Sequence, residues 1–353
     1  MINGATYIPE KISLKQKIQT KVFTFFRLKQ GASLKLYKGF ANHKSCYIYG
    51  HAFSLSPLKK KHFRTFFLYN FIALLRLFMV RPLKNAVIVL QWKNKTFTAK
   101  TASDGFFKFE WDHTADLLPG QYEVEVMLIK RNTTNIIKAT ATGAFIVPSP
   151  TDFSFISDID DTFLISHSSN LRKRLFVLLT ENAKSRKPFE GVVNHYRLLH
   201  GIDDVNPSDN AFFYVSSSEW NLYDYIKDFL MEKKLPDGVC LLNQVKTFSK
   251  LFATGQNNHS GKFTRVVKIL EAYPQQKFVL LGDDSQKDID IYASIVEHFP
   301  QNVYCVYIRR VGTPEKPHIL LKQKVIEKKG VRFCYFAHSE EAILHSKEIG
   351  LIK

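Results

Sequence analysis

The sequence predicts an α/β protein, built on a doubly wound parallel sheet, with a small all-β domain and a basic helical segment in front of it. Three observations lead to this prediction. Short apolar runs alternate with helical patterns after residue 150, strand-like runs without helices between them fill much of residues 31–149, and the first 150 residues are strongly basic. Alternating strands and helices are typical of a parallel sheet covered by helices. The predicted domains are residues 1–30, 31–149 and 150–353.

The first segment, residues 11–29, has the pattern of a basic amphipathic helix. Leu14, Ile18, Val22 and Phe25 recur every three to four positions, with lysines between them. Such a helix either lies on anionic lipid or packs on the next domain, and the spacing alone favours packing.

Residues 34–56 and 86–147 are rich in Val, Ile, Tyr, Phe and Thr, and turn residues divide them into short runs. Repeated strands without intervening helices indicate a small β-sandwich. An apolar segment at 62–80 interrupts these strands. Asn70 and Arg76 leave it short of the ~20 apolar residues that a membrane-spanning helix needs, so we expect a buried or interfacial helix there.

The strand and helix alternation begins after a linker-like stretch at 147–150. The runs FSFIS, AFFYVS, KFVLLG and VYCVYI have the continuous apolar character of buried parallel strands. Helical patterns separate them at 171–183, 221–233, 262–272 and 288–297. One more strand at 331–336 and a helix at 339–349 complete the predicted domain.

The composition is that of a globular protein, with 353 residues, 45% hydrophobic and 23% charged. The four cysteines are far apart, which favours reduced thiols in a cytosolic-type protein over disulfides or zinc ligands. The N-terminus also lacks the pattern of a secretory signal. We therefore expect a cytoplasmic protein, with peripheral attachment to a membrane as a further hypothesis.

The net charge of +18 is concentrated in the first half of the chain. Residues 1–150 contain 23 basic and 7 acidic residues, and no acidic residue lies between Glu10 and Asp104. This imbalance predicts an anionic partner, either nucleic acid or an anionic membrane surface. A merely soluble cationic surface is the alternative interpretation.

Polar side chains follow three of the predicted strands. Asp158 and Asp160 follow the first strand, Ser216 the second and Asp283 the third. Active sites of open α/β sheets lie beyond the carboxyl ends of the strands, so we expect these residues to converge. Clustered carboxylates favour a hard divalent cation, and a few carboxylates plus water suit Mg²⁺ better than Ca²⁺. Zinc is disfavoured because the motifs contain neither His nor Cys.

Such a site suits phosphate esters. A bound metal offsets the repulsion between an anionic nucleophile and an anionic substrate. One aspartate can then attack phosphorus to give an aspartyl-phosphate, while a second protonates the leaving alkoxide and later activates water. The competing interpretation is structural, in which the acids and serines only cap helices.

The pattern D-x-D-x-T, a serine at the next strand end, a lysine that opens a helix, and G-D-D-x-x-x-D resemble the four motifs of the haloacid dehalogenase superfamily of phosphotransferases. The resemblance implies a Rossmann-like fold and four catalytic residues. Asp158 is the implied nucleophile, Asp160 the general acid/base, Ser216 the ligand of a phosphoryl oxygen, and Lys262 the group that neutralises both.

The same resemblance implies a Mg²⁺ site and candidate substrate contacts. The carboxylates of Asp158 and Asp283 and the backbone carbonyl of Asp160 form the implied site, which Asp284 or Asp288 completes directly or through water. Thr162 and Ser217, within the motifs, are candidate substrate-binding residues. Arg186 and Lys187 are also candidates, because they lie where the superfamily places its cap.

A longer set of segments resembles the catalytic domain of the phosphatidate phosphatases related to the yeast actin-patch protein. The segments are SDIDDT, RKPFEGVVNHYRLLHG, FFYVSSSEWNLYDYI, GKFTRVVKIL and FVLLGDDSQKDIDIY. Two departures leave the substrate class open: Glu219 stands where proline is common, and Gly261 precedes Lys262 where histidine is frequent.

The leading hypothesis is a Mg²⁺-dependent phosphatase that converts phosphatidate to diacylglycerol at a membrane surface. One alternative keeps the chemistry and changes the substrate to nucleic-acid ends or a soluble phosphometabolite. Nucleic acid is the less favoured partner because no recognised nucleic-acid module is present. Another alternative is a non-catalytic lipid-binding adaptor with a structural acid cluster.

Overall fold

In the N-terminal part of the chain, eight of the described strands join in one curled, hydrogen-bonded sheet. The computed structural model describes residues 23–58, 72, 75–114, 116–130, 136–160, 162, 188–201, 209–247, 259–312 (side chains from 261) and 316–352. The N-terminal strands are β1 (Leu28–Ala41), β2 (Ser45–Pro57), β3 (Arg81–Pro82), β4 (Val87–Trp92), β5 (Lys95–Lys100), β6 (Phe106–Asp112), β7 (Gly120–Lys130) and β8 (Ile136–Val147). Their order is β3-β2-β1-β8-β7-β4-β5, and β6 pairs with β2.

The strand-rich character of this region is confirmed, but its strands do not divide into the two sheets of a sandwich. Strand β1 pairs with β2 on one side and with β8 on the other, so hydrogen bonds run through both halves. Two irregularities in the β1–β2 register bend the sheet, as β-bulges do. Strands β5 and β6 consequently lie close together, and the inner face encloses an apolar core with Trp92, Trp111 and Phe145.

The second half of the chain is a mixed α/β unit on a parallel sheet. Its strands are β9 (Phe153–Ser157), β10 (Phe212–Glu219), β11 (Gly238–Asn243), β12 (Lys277–Asp283), β13 (Val303–Arg309) and β14 (Arg332–Phe336). Its described helices are α1 (Val192–His200), α2 (Tyr223–Glu232), α3 (His259–Ala272), α4 (Asp288–His298), α5 (Pro317–Lys328) and α6 (Ser339–Glu348). The strand order is β11-β10-β9-β12-β13-β14, with every adjacent pair parallel.

The position of β9 at the centre of this sheet determines where the site lies. Strand β10 pairs with one edge of β9 and β12 with the other, and most residues of all three strands are buried. Among the described helices, α3 contacts α4 and α4 contacts α5, whereas α1 contacts α6. The carboxyl ends of the three central strands therefore share one edge.

The N-terminal sheet packs on the parallel-sheet domain through an aromatic face of β1. The ring of Tyr37 stacks on that of Trp220 with centroids 4.0 Å apart, and Phe40 meets Phe213 edge-on at 5.7 Å. The backbone N–H of Lys38 donates to the hydroxyl of Tyr223 at 3.0 Å. These contacts bury the start of α2 and the residue that follows β10 against the N-terminal sheet.

Two predicted segments lie mostly outside the described residues. Of the N-terminal helix, residues 1–22 are not described and residues 23–25 are helical, but β1 already begins at Leu28. Of the apolar segment 62–80, residues 62–71, 73 and 74 are not described, and Arg76–Phe78 form a short 3-10 turn in which Phe78 is buried. The carbonyl of Leu77 accepts a hydrogen bond from Asn221 at 2.9 Å, so this end of the segment packs against the parallel-sheet domain. None of the helices in the described part of the chain has the length and apolar content needed to cross a membrane.

Candidate active site

The registers of the central strands bring the predicted motifs to one place. Ser157, the last residue of β9, is paired with Tyr214 of β10 and with Leu281 of β12. The backbone N–H of Asp158 extends this pairing by donating to the carbonyl of Leu281 at 2.8 Å. Asp158, Ser216 and Asp283 thus lie within two residues of one level of the sheet, and all three side chains are buried.

A buried ion-pair cluster occupies this edge. The ammonium of Lys262, in the first turn of α3, donates to a carboxylate oxygen of Asp158 at 2.6 Å and also to Asp288. Asp288 is the first residue of α4, where the helix dipole favours a negative charge. The carboxylates of Asp158, Asp283 and Asp288 each offer an oxygen within 4.8 Å of the others.

A glycine allows the third carboxylate to approach. A Cβ atom at Gly282 would lie 2.7 Å from a carboxylate oxygen of Asp288 and 2.8 Å from the ring of Tyr292. These distances are too short for any other residue to occupy position 282 without moving Asp288 or Tyr292. Thr162 connects the two strands from the other side, because its hydroxyl lies 3.3 Å from carboxylate oxygens of both Asp158 and Asp283.

The cluster carries more negative than positive charge. Burial raises the pKa of Asp158 well above its usual range, the Lys262 ammonium opposes this, and the neighbouring carboxylates raise the pKa further. Burial, followed by repulsion from Asp288, raises the pKa of Asp283 to about 8. Burial has the opposite effect on Lys262 and lowers its pKa. The combined attraction of Asp158 and Asp288 is larger, so the pKa of Lys262 is raised overall.

These residues fit a hard divalent cation. Three buried carboxylate groups offer oxygen ligands, the donors that Mg²⁺ prefers, and none of the three positions is His or Cys. The raised pKa values of Asp158 and Asp283 indicate unfavourable negative charge that a bound cation would offset. The donor set therefore suits Mg²⁺ better than Zn²⁺.

Asp160 faces the second strand end instead of the three-carboxylate cluster. Its carboxylate accepts hydrogen bonds from the hydroxyl of Ser218 at 2.5 Å and of Ser216 at 3.3 Å. The hydroxyl of Ser216 in turn accepts the backbone N–H of Ser218 at 2.9 Å. A carboxyl group that is buried among hydroxyls beside Asp158 has the position that proton transfer near that residue requires.

Asp284 lies apart from the three carboxylates. Its carboxylate accepts the backbone N–H of Val311 at 2.9 Å and the hydroxyl of Tyr335 at 2.7 Å, and it pairs with the ammonium of Lys316 at 3.0 Å. Successive residues at the end of β12 point in opposite directions, so Asp283 and Asp284 meet different neighbours. Of the two acids left open by the sequence, the structure places Asp288 with Asp158 and Asp283.

The remaining candidate residues are placed as follows. Thr162 is buried in the cluster, whereas Ser217 is partly exposed between the two serines that contact Asp160. Arg186 and Lys187 lie outside the described residues, as does the predicted helix at 171–183.

Three polar residues near the site were not among the predicted site residues. Ser218 shares the alternation of Ser216, a period-two signal that was available in the sequence. Arg265 donates to the carbonyl of Ser216 at 3.1 Å. The guanidinium of Arg309, at the end of β13, donates to the carbonyl of Thr162 at 2.9 Å and to the hydroxyl of Ser339 at 2.8 Å. Arg309 is the charged last residue of an otherwise mostly apolar strand, and this position at a strand end was the sequence signal that could have identified it.

From the sequence alone, His167, His195 and His259 fall in different elements, which favours surface histidines over a metal-binding trio. His195 is instead buried, with its Nε2 3.0 Å from the hydroxyl of Ser346, because α1 packs its inner face against α6. The side chains of His167 and His259 lie outside the described residues.

Two curated relatives share sequence with this chain. Phosphatidate phosphatase APP1 of Saccharomyces cerevisiae is 29% identical over 161 residues, which cover 46% of this chain and 26% of the yeast protein. An uncharacterised protein of Schizosaccharomyces pombe is 20% identical over 223 residues, covering 61% of this chain and 34% of that protein. The chain thus spans about a quarter to a third of the length of these relatives.

Comparison with solved structures adds little. A carbohydrate acetylesterase from Xanthomonas citri aligns with a TM-score of 0.30 and 10% identity over 86% of this chain and 68% of that chain, a similarity too low to indicate a shared fold.

The family model described as "Phosphatidate phosphatase APP1, catalytic domain" matches residues 153–310, a range that includes every residue of the acid cluster. Over these residues, the chain is therefore similar to the phosphatidate phosphatase APP1 catalytic domain.

Proposed function

We propose that this protein is a Mg²⁺-dependent phosphomonoester hydrolase that acts through an aspartyl-phosphate. The observation that carries the proposal is the buried cluster in which Lys262 bonds to Asp158 and Asp288, with Asp283 beside them. Burying several carboxylates around one ammonium is unfavourable for folding alone, and such perturbed acids are typical of functional sites.

The roles that we propose for the residues are those that the resemblance to the haloacid dehalogenase superfamily implies, and the positions of the side chains support them. A carboxylate oxygen of Asp158 attacks phosphorus, forming a new P–O bond as the ester P–O bond breaks. Asp160 gives its proton to the leaving alkoxide and later takes one from the water that hydrolyses the acyl phosphate. Lys262 holds the attacking carboxylate in place, and Ser216 binds a phosphoryl oxygen.

Asp158, Asp283 and Asp288 would hold the Mg²⁺ ion, together with the backbone carbonyl of Asp160. When bound, the ion supplies positive charge that offsets repulsion between these carboxylates and the phosphoryl oxygens. Asp284, which is engaged by Lys316 and Tyr335, supports this site from the far side of β12.

The fold that we propose for the domain is the doubly wound arrangement of the haloacid dehalogenase superfamily. The strand order supports it. The chain adds β10 and β11 on one side of β9 and then β12, β13 and β14 on the other, so the order of the strands reverses at β9, the strand that precedes Asp158. Ligands of open α/β sheets bind at such a reversal point. The separate contacts of α3–α4–α5 and of α1–α6 agree with helices on both faces.

Phosphatidate is the substrate that we propose, with diacylglycerol as the product and an anionic membrane surface as the location. The similarity to the APP1 catalytic domain supports the substrate. The basic first half of the chain supports the membrane, since each lysine or arginine near an anionic surface contributes about 1 kcal/mol of binding. Binding to phosphatidate-containing vesicles should therefore weaken as the salt concentration rises.

A phosphate-release screen tests the function. Purified protein is incubated with phosphatidate, lysophosphatidate and soluble phosphoesters, each with Mg²⁺ and with EDTA, beside the variant Asp158→Asn. We expect Mg²⁺-dependent release that is fastest on phosphatidate and lost in the variant. Equal release from Asp158→Asn would refute the mechanism.

With phosphorylated oligonucleotides added to the screen and a vesicle-binding assay beside it, the same experiment separates the alternatives. Release only from soluble esters or oligonucleotide ends would replace phosphatidate as the substrate. Vesicle binding with no release from any ester would identify a lipid-binding adaptor.

A further inference from the structure

Arg265 is a cation of the candidate site that has no acidic partner. It lies one turn after Lys262 on α3, and its guanidinium donates one hydrogen bond, to the carbonyl of Ser216 at 3.1 Å. Its Nε is buried and has no hydrogen-bond partner among the residues that the structure describes. Within the described part of the chain, no carboxylate pairs with this side chain, whereas the ammonium of Lys262 on the same helix pairs with Asp158 and Asp288.

An unpaired guanidinium in this position is unfavourable for the protein alone. Burial lowers the pKa of Arg265 to about 10. Buried donors without acceptors destabilise a fold, and charged donors do so more than neutral ones. A ligand that supplies oxygen acceptors would remove this penalty.

The charge of the neighbouring cluster indicates what that ligand is. Lys262 is already shared between Asp158 and Asp288, so its charge is largely matched by these two carboxylates. A phosphoryl group brings further negative charge to an edge where carboxylates outnumber this ammonium. Arg265, beside Ser216, would offset part of this charge in addition to the proposed Mg²⁺ ion, and the planar fork of arginine matches phosphate oxygens.

The glycine before Lys262 makes room for this fork. A Cβ atom at Gly261 would lie 3.2 Å from Nη1 of Arg265, closer than nine in ten such contacts. The guanidinium thus lies beside the start of α3, where a side chain at position 261 would press against it. Lys262 and Arg265 approach the site from the same helix, one on the nucleophile side and the other on the side of Ser216.

We propose that Arg265 binds non-bridging oxygens of the substrate's phosphoryl group and so determines affinity for phosphomonoesters. This inference rests on the proposed phosphatase function and deepens it. The alternative is a structural role, in which Arg265 only fixes the Ser216 carbonyl at the end of β10.

Binding of inorganic phosphate distinguishes these roles without requiring turnover. Calorimetric titrations with phosphate in the presence of Mg²⁺ compare the wild type with Arg265→Met, Arg265→Lys and a control, Lys324→Met, on the exposed face of α5. We expect phosphate affinity to fall at least tenfold in Arg265→Met, partly recover in Arg265→Lys and stay unchanged in the control. Thermal unfolding verifies that each variant is folded, and Arg265→Lys provides the comparison if Arg265→Met does not fold.

Steady-state kinetics on a soluble phosphomonoester adds an independent readout. Loss of a phosphate ligand should raise KM at least tenfold, with a smaller effect on kcat. If the wild type hydrolyses the ester and the folded variants keep its phosphate affinity and KM, the proposed role of Arg265 is wrong. The proposed phosphatase function would not be affected by that result. Phosphate binding that depends on Arg265, in a protein that hydrolyses no ester, would support the anion site and refute the proposed function.

Discussion

The ammonium of Lys262 lies 2.6 Å from a carboxylate oxygen of Asp158, although 104 positions separate the two residues in the chain. The same ammonium contacts Asp288, which begins a third element. One positive charge therefore connects the end of β9, the start of α3 and the start of α4, and its removal should affect folding as well as activity.

We expect Lys262→Met to destabilise the metal-free protein. The substitution leaves buried carboxylates without their ammonium partner, and breaking a buried ion pair in this way removes about 3–5 kcal/mol from the free energy of unfolding. Mg²⁺ should restore part of the loss, because it binds the folded carboxylate cluster. Urea unfolding in EDTA and in Mg²⁺ measures both effects. A variant as stable in EDTA as the wild type would contradict the charge balance described here.

Gly282→Ala should weaken metal binding without removing any ligand. The new Cβ would lie 2.7 Å from the Asp288 carboxylate and force it or Tyr292 to move. Displacement of a ligand or its support typically lowers metal affinity about 10–100-fold. Calorimetric titration with Mg²⁺ checks this, with Ser294→Ala on the same helix as the control. Equal affinities for both variants and the wild type would contradict the claim that Gly282 allows Asp288 its position as a metal ligand.

The stack of Tyr37 on Trp220 should couple the two domains. Trp220 lies two residues after Ser218, so this contact also fixes the segment that carries the serines. Aromatic pairs contribute about 0.5–1.5 kcal/mol beyond their buried area. A double-mutant cycle of Tyr37→Leu and Trp220→Leu, followed by urea unfolding, measures the coupling. Additive effects of the two substitutions would show that the rings stack without contributing stability.

His195 should make the protein less stable in acid. Burial lowers its pKa from 6.5 to about 3, with smaller contributions in the same direction from Arg309 and His345. Below pH 6.5 the unfolded chain binds a proton at this residue that the folded chain does not. Stability present above pH 6.5 is therefore lost as the pH falls towards the folded pKa, by up to ~1.4 kcal/mol per pH unit.

Comparison with His195→Gln isolates this effect, since glutamine can still bond to Ser346 but does not titrate. The difference in unfolding free energy between wild type and variant should be constant above pH 7 and should shift against the wild type from pH 6 to pH 4. A difference that does not change with pH would show that His195 protonates in the folded state.

The parallel strands of the site were predictable from sequence because strands that are buried on both faces appear as continuous apolar runs. Runs such as FVLLG are apolar without alternation, and each is followed at once by the polar residues of a motif. Strand β11 and helices α1 and α5 were missed. In α5 the buried residues Ile319 and Ile326 stand seven positions apart, while Leu321 and Val325 are exposed, so no apolar stripe of ordinary width was present.

The identity of the acids at the site was predictable, but their partners were not. Asp283 and Asp284 are chemically equivalent in the sequence, and only tertiary contacts with Lys316 and Tyr335 assign Asp284 to another environment. Arg265 was invisible for the same reason, because nothing in its local pattern shows that it lacks an acidic neighbour. The curled single sheet likewise depends on register irregularities in β1 that the strand pattern does not specify.

Covalent labelling tests the central claim most directly. The wild-type protein is mixed with phosphatidate and Mg²⁺, quenched in acid within the first turnover and digested for mass spectrometry, beside Asp158→Asn and Asp160→Asn. We predict a phosphoryl group on Asp158 in the wild type, more of it in Asp160→Asn if acyl-phosphate hydrolysis slows more than its formation, and none in Asp158→Asn. Sustained phosphate release with no label on Asp158 at any quench time, or a label on another residue, would contradict the account.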